Sequence, residues 1–279
     1  ALCLTCSPIF LDNPVTDAAS RFASAPEAIV CHEPPSQAVS DIARTLAIPC
    51  VAVDQLAADA SGLCLHWQSG QLALGRFFGK EKPVAVDFVA ALSQRRQGPE
   101  LLWKAVAGGA SFKPAVVDAT AGFGRDTSVL LGRGSVVSMI ESHPVVVALL
   151  GDALRRLRED PRFTAVAQAV TLYPARAEDF LGSLAAQGKA QVIYLDPMFA
   201  ASGKSALAKK DMQLFQQLMG HGGDGSELLA TALECAEYRV VVKRALKAAP
   251  LAGPEPGFAI KGKAVRFDVY PLKSLKYVP

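Results

Sequence analysis

No uninterrupted apolar run in these 279 residues approaches the roughly 18 to 20 needed to cross a membrane. The N-terminus lacks a basic stretch followed by an apolar segment and a cleavage site, so a cytoplasmic protein is the expectation. Cysteine is sparse and scattered, at positions 3, 6, 31, 50, 64 and 235, without the paired clusters of a zinc ribbon or a disulfide scaffold. Cys3-x-x-Cys6 has a ligand-like spacing, but a four-ligand site needs two further partners, and reduced thiols with no metal are expected. Internal repeats and low-complexity tracts are absent. The glycine turn at 122–124 is not followed by Gly-Lys-Ser/Thr, so a Walker loop is absent there.

What is present is a globular composition, 51% hydrophobic and 20% charged, enough for one large or two modest domains. The net charge of +3 is unevenly spread. From Lys243 onward there are eight basic residues and two acids, so that segment carries +6 and the preceding 242 residues carry −3. A basic face presented to phosphates fits this asymmetry, and a solvated lysine-rich edge fits it equally well.

The run Val116-Val117-Asp118-Ala119-Thr120-Ala121-Gly122-Phe123-Gly124-Arg125-Asp126 reads as a buried strand, a glycine turn and the start of a helix. Glycine admits positive φ and a close ligand approach, and the helix start offers unpaired N–H groups. Glu141 ends the next apolar stretch, 19 residues after Gly122, where an acid can grip ribose hydroxyls. A third glycine, required for the dinucleotide fingerprint, is missing. The layout is that of an S-adenosylmethionine (SAM) methyltransferase, with an NAD-dependent oxidoreductase as the alternative.

From Ala115 the sequence alternates short apolar runs with helical stretches, the pattern of a doubly wound α/β sheet. Strands are expected near 115–118, 135–140, 168–173, 190–195 and 238–243, with helices over 125–132, 144–158, 177–187, 209–219 and 226–236. Val265, Phe267 and Val269 alternate with polar neighbours after a turn at Gly262, which suggests a closing antiparallel pair. The expected fold is thus a mostly parallel, seven-stranded, Rossmann-like sheet with an antiparallel last hairpin, over 111–279. Residues 1–110 read as a small α+β domain that caps the catalytic one or contacts its substrate. It should hold a hairpin around Ser69-Gly70, an added strand in 84–89 and a helix from Pro99 to Ala107.

Strands of an open parallel sheet bring ligands to their carboxyl ends, so Asp118, Gly122, Glu141 and Asp196 should converge. Asp196-Pro197-Met198-Phe199 ends the fourth strand. A carboxylate and a proline carbonyl there can accept both hydrogens of an exocyclic amine while Phe199 stacks on the base. Holding that amine in line with a SAM methyl supplies proximity and charge stabilisation without a metal. Asp196, Pro197 and Phe199 are the candidate catalytic residues. The nitrogen acted on could belong to RNA, DNA or protein.

The motifs Asp118 to Asp126, Tyr194 to Phe199, Lys204-Ser205-Ala206-Leu207-Ala208-Lys209-Lys210, Val240 to Arg244 and Lys261 to Asp268 together resemble the RsmJ family. These bacterial enzymes methylate N2 of one guanine near the 3′ end of 16S ribosomal RNA. The likeness runs from about Val84 to Tyr270, and Asp-Pro-Met-Phe is that family's own form of the motif. The resemblance implies a class I methyltransferase fold and a partner in 16S rRNA or the small ribosomal subunit. It implies a SAM site that includes Arg125 and Asp126 after the turn, Glu141 with Ser142, Arg176 with Ala177 beside the adenine, and Asp196 at the target amine. Gly122, Gly124 and Asp118 complete the cofactor candidates. Lys204, Lys209, Lys210, Lys243 and Arg244 are the candidate RNA contacts, placed beside the site. His143, before Pro144 at a helix start, reads as structural.

Overall fold

The computed structural model describes residues 25–94, 100–109, 113–185, 188–197, 214, 217–218 and 225–275. Met198, Phe199, Lys204, Lys209, Lys210, His221, Cys3, Cys6, Arg95 and Arg96 lie outside these, as does most of the helix expected over 209–219.

The larger sheet holds β6 (Val116–Asp118), β7 (Val137–Glu141), β8 (Val170–Pro174), β9 (Ala190–Leu195), β10 (Ala236–Ala245), β11 (Phe258–Lys261) and β12 (Val265–Pro271). Their order is β11-β12-β10-β9-β6-β7-β8. Strands β10, β9, β6, β7 and β8 are parallel, and β12 and β11 run antiparallel. Both faces are buried, and side chains alternate between two cores. Val116, Val192, Tyr194 and Val241 enter one, whereas Val117, Ile193, Val240 and Val242 enter the other. The chain moves outward from β6 to β8 and then returns to β9 on the other side of β6. That reversal opens a crevice at the carboxyl ends of β6 and β9.

Helices α4 (Arg125–Gly132), α5 (Pro144–Glu159), α7 (Ala177–Ala185) and α8 (Ser226–Cys235) fill the expected stretches, and a short α6 (Thr164–Gln168) precedes β8. Pro144 occupies the first turn of α5, where its missing N–H removes no bond, and His143 Nδ1 caps that helix by accepting from Val145 N at 3.2 Å. Burial lowers the His143 pKa to about 4, so it caps as the neutral imidazole.

A second sheet, order β2-β1-β3-β4-β5, is built from β1 (Ile29–Cys31), β2 (Cys50–Ala52), β3 (Leu63–Gln68), β4 (Gln71–Arg76) and β5 (Val84–Ala85), with α1 (Gln37–Leu46) linking the parallel β1 and β2. Ser69 and Gly70, at φ 53° and 69°, form the two-residue turn of the β3–β4 hairpin. The strand expected over 84–89 stops at Ala85. Asp87 instead accepts from Ala90 N at 2.9 Å and starts α2 (Phe88–Ser93). Helix α3 (Glu100–Ala107) packs on β10, β11 and β12.

The two sheets share one apolar core, in which Leu65, Leu72 and Leu74 join Leu149, Leu150 and Ala153 of α5. Asp152, 5% exposed, anchors the seam. It accepts from Leu72 N at 3.0 Å and pairs with Arg155 at 2.7 Å and Arg156 at 3.0 Å. Those arginines in turn donate to the carbonyls of Gly70 and Val86.

Candidate active site

The glycine turn between β6 and α4 is set from below by Asp118, which is 1% exposed. Its Oδ1 accepts from Thr120 N at 3.3 Å and its Oδ2 from Thr127 Oγ1 at 2.6 Å. Burial lifts its pKa to about 7, against the pull of the Thr127 hydroxyl. Asp118 was expected among the cofactor ligands. In the structure it is buried beneath the turn, and each of its oxygens accepts a bond from the turn or from the helix that follows.

Gly122 and Gly124 adopt φ of 49° and 67°. A Cβ on Gly124 would stand 2.6 Å from Phe88 Cζ and 3.2 Å from Leu150 Cδ2, so the turn is tight because α2 and α5 press on it. Glu141, 6% exposed at the end of β7, ties this turn to the next loop: its Oε2 accepts from Gly122 N at 3.1 Å and its Oε1 from His143 N at 2.7 Å. Burial raises its pKa, and the backbone N–H groups of His143, Gly122 and Ser142 counter that. A carboxylate offers about four lone-pair sites, so hydroxyl groups can still bind beside these two bonds. Ala175 N donates to Glu141 O at 3.0 Å, which brings the Arg176-Ala177 loop to the same edge. Ser142 and Arg125 are exposed there, and Arg176 lies 3.7 Å from Glu178.

Across the crevice, Asp196 N donates to Thr120 Oγ1 at 2.6 Å, so the end of β9 is pinned to the glycine turn. The Asp196 side chain is about a third exposed, at 35%. Its Oδ2 receives Lys243 Nζ at 2.8 Å, and the same ammonium donates to Asp126 Oδ2 at 2.7 Å. Tyr194 Oη donates to that Asp126 oxygen at 2.6 Å. Burial pushes the Asp196 pKa up, the Lys243 charge draws it down, and Asp126 adds to the rise; the net direction is upward. The two carboxylates raise Lys243 despite its burial, so it stays an ammonium. Pro197 is half-buried, and a Cβ on Gly225 (φ 75°) would lie 3.2 Å from its Cβ, so glycine there lets the chain pass close to the motif.

A SAM-dependent methyltransferase family model matches residues 51–272. The chain is 38% identical over 259 residues to the ribosomal RNA small subunit methyltransferase J of Marinobacter nauticus, covering 88% of this chain and 92% of that one. Its likeness to the protein of the same name from Pseudomonas aeruginosa is 44% over 198 residues, or 69% and 76% of the two chains. The solved structure of a SAM-dependent methyltransferase from Neisseria gonorrhoeae is 36% identical and superposes with a TM-score of 0.67 over 88% of this chain and 95% of that one. The chain belongs to the SAM-dependent methyltransferase family. SAM is accordingly its cofactor, and the turn, the buried Glu141 and the crevice at the strand reversal fit it.

For a member of this family, the sequence brought most candidates to one edge: Gly122, Gly124, Arg125, Asp126, Glu141, Ser142, Arg176, Ala177, Asp196 and Pro197. Two basic candidates are placed otherwise. Lys243, expected on RNA phosphates, is drawn between two carboxylates whose attraction at hydrogen-bond distance holds it inward. Arg244 is 9% exposed and gives Nε and Nη2 to Ala249 O at 2.9 and 2.7 Å, so it braces a loop instead of reaching solvent. Tyr194, Thr120 and Thr127 escaped sequence reading. Tyr194 sits in an apolar strand that reads simply as core, and the two threonines carry no motif beyond their place around the turn.

Proposed function

We propose that the chain methylates the exocyclic N2 of one guanine near the 3′ end of 16S rRNA, presented as RNA or within the small ribosomal subunit. The names of its relatives and the +6 charge from Lys243 onward support this reading. The observation that carries it is Asp196, held at the crevice by Thr120 and Lys243, where a carboxylate can meet an amine N–H.

Bound SAM supplies an electrophilic methyl group on a sulfonium. Glu141 and Ser142 hold the ribose side, Arg176 and Ala177 flank the adenine, and Gly122, Gly124, Arg125 and Asp126 line the remainder. Asp196 and the Pro197 carbonyl accept the two amine hydrogens, with Phe199 stacked on the base. Because Lys243 engages Oδ2, Oδ1 is the atom that meets the amine. SAM would give its methyl to the N2 lone pair and leave as the neutral thioether, and the positive charge that would grow on nitrogen would face the Asp196 carboxylate. An amine proton then leaves to that carboxylate, whose raised pKa suits it to receive one, and passes to water. Lys204, Lys209 and Lys210 hold phosphates around the base. Residues 1–110 form the accessory unit and 111–279 the catalytic one, in a cytoplasmic protein; among the described residues no helix is long and apolar enough to cross a membrane.

Mass spectrometry of 16S rRNA fragments, after naked rRNA and unmethylated small subunits are each incubated with SAM and with or without the protein, tests the reading. One added methyl on a guanine N2 of the 3′ region is expected. An unchanged pattern, or a methyl on another atom, sinks it. Asp196→Ala should bind SAM in calorimetry yet form no product, and full activity in that variant would remove the role given to Asp196.

A further inference from the structure

The antiparallel register of β10 and β12 sets Ala245 opposite Val265 and Arg239 opposite Pro271. The start of β12 therefore returns to the sheet edge that carries Asp196 and Lys243. Two connections meet at that edge, the loop 246–249 after β10 and the turn 262–264 between β11 and β12. Gly262 N closes the turn on Val265 O at 2.8 Å, and Leu246 N ties the loop to it through Ala264 O at 3.0 Å. Lys247, Lys261 and Lys263 are exposed on this joined frame.

Beneath it lie two buried guanidinium groups. Arg266, 7% exposed, forks onto Asp268 at 2.7 and 3.0 Å and gives Nη1 to the carbonyls of Ala245, Leu246 and Ala248 at 3.1, 3.0 and 2.6 Å. Arg244 holds the carbonyl of Ala249. The carbonyl of Ala245 at the end of β10 and three of the loop's four carbonyls are thus turned inward onto arginine, which fixes a segment that is neither helix nor strand and aims its positive potential at the rim. Burying guanidinium groups is costly unless each is well bonded, so such a frame is more than a solvated edge requires. Of the two acids from Lys243 onward, Asp268 is buried in its fork and Glu255 precedes the far end of β11.

We propose that this rim, with Lys247, Lys261 and Lys263 on the frame held by Arg244 and Arg266, docks the phosphate backbone of the RNA beside the target guanine. This rests on the function proposed above. Nucleic acid fits the rim better than a protein partner does. Among the described residues, none of the exposed large hydrophobics, Val53, Phe78, Val136, Phe258 and Leu272, lies in the loop or the turn, so a protein interface would find no apolar anchor there. Alanines and a glycine between lysines let a charged backbone approach closely, which is what phosphate contacts need.

The test is the triple variant Lys247→Glu, Lys261→Glu, Lys263→Glu in the full chain, with a 3′ fragment of 16S rRNA. The RNA Kd and KM should rise at least about tenfold, and the slope of log K against log salt should flatten by about 2, since each lost phosphate contact removes about 0.7 to 0.9. SAM affinity and kcat at saturating RNA should hold. Lys189→Glu, an exposed site before β9 at the opposite sheet edge, should change none of these. RNA affinity within twofold of the parent, with the parent's salt slope, overturns the proposal, including when the variant has instead lost a protein partner. A parent that binds the fragment but methylates neither it nor the unmethylated small ribosomal subunit refutes the function reading, while the salt slopes still decide the rim. A parent that binds neither the fragment nor the unmethylated small ribosomal subunit overturns both.

Discussion

The Lys243 ammonium stands 2.8 Å from the Asp196 carboxylate and joins it to Asp126, so the carboxylate proposed to meet the amine is held by a cation from the neighbouring strand β10. Lys243→Met keeps much of the side-chain volume and removes the charge. It should lower kcat by about a hundredfold or less, since loss of a preorganised donor to the reacting atoms themselves costs about a hundredfold to a thousandfold and Lys243 acts through Asp196, with a small change in SAM affinity. The ammonium lowers the Asp196 pKa, so its removal raises that pKa and moves the ascending limb of the kcat–pH profile to higher pH. Lys243→Arg should keep more activity. A profile unmoved in the methionine variant would mean that the lysine acts only in folding.

Gly124→Ala places a Cβ at φ 67° against the Phe88 ring. Left-handed backbone costs a non-glycine residue about 1–3 kcal/mol, before the clash is relieved. Urea denaturation should show a loss of at least that order, and calorimetry should show weaker SAM binding because the turn must shift.

Asp118 predicts a stability that depends on pH. Its carboxyl is raised in the fold from 3.8 to about 7. Between those values the folded state holds a proton that the unfolded state has released, so its contribution to stability is full below about pH 4, declines as pH rises, and levels off above about pH 7. Asp118→Asn does not titrate. Denaturant midpoints measured from pH 4 to 8 should show the parent losing ground to the variant across that window, and a constant difference would contradict the assignment.

Asp152→Ala should destabilise the seam between the sheets by about 3 kcal/mol or more, because it leaves the buried N–H of Leu72 and two arginines without their shared partner. Asp152→Asn, which retains an acceptor, should lose less. Equal losses in urea melts would show that charge, not the acceptor, decides.

The larger sheet was legible because its signals are local. The continuous apolar run from Val192 to Leu195, buried on both faces, glycine at positive φ, and proline in the first turn of α5 each follow from a few consecutive residues. The first sheet was less so. Ile29–Cys31 and Cys50–Ala52 are three-residue strands, too short for a pattern, and they become strands by pairing in parallel. Val86 to Val89 looked extended by composition, yet the Asp87 cap and the burial of Phe88 against the glycine turn made them a helix start.

The sequence by itself determined the order of strand, turn, acid and Asp-Pro that makes this a SAM-dependent methyltransferase, because apolar periodicity and glycine placement act over neighbouring positions. Tertiary structure decided what the charged residues do. Lys243 meets partners 47 and 117 positions away, Arg244 and Arg266 turn inward to hold a loop, and Asp118 closes on Thr127 beneath the turn. Which charges become neighbours depends on strand order across the sheet, and no local pattern encodes that order.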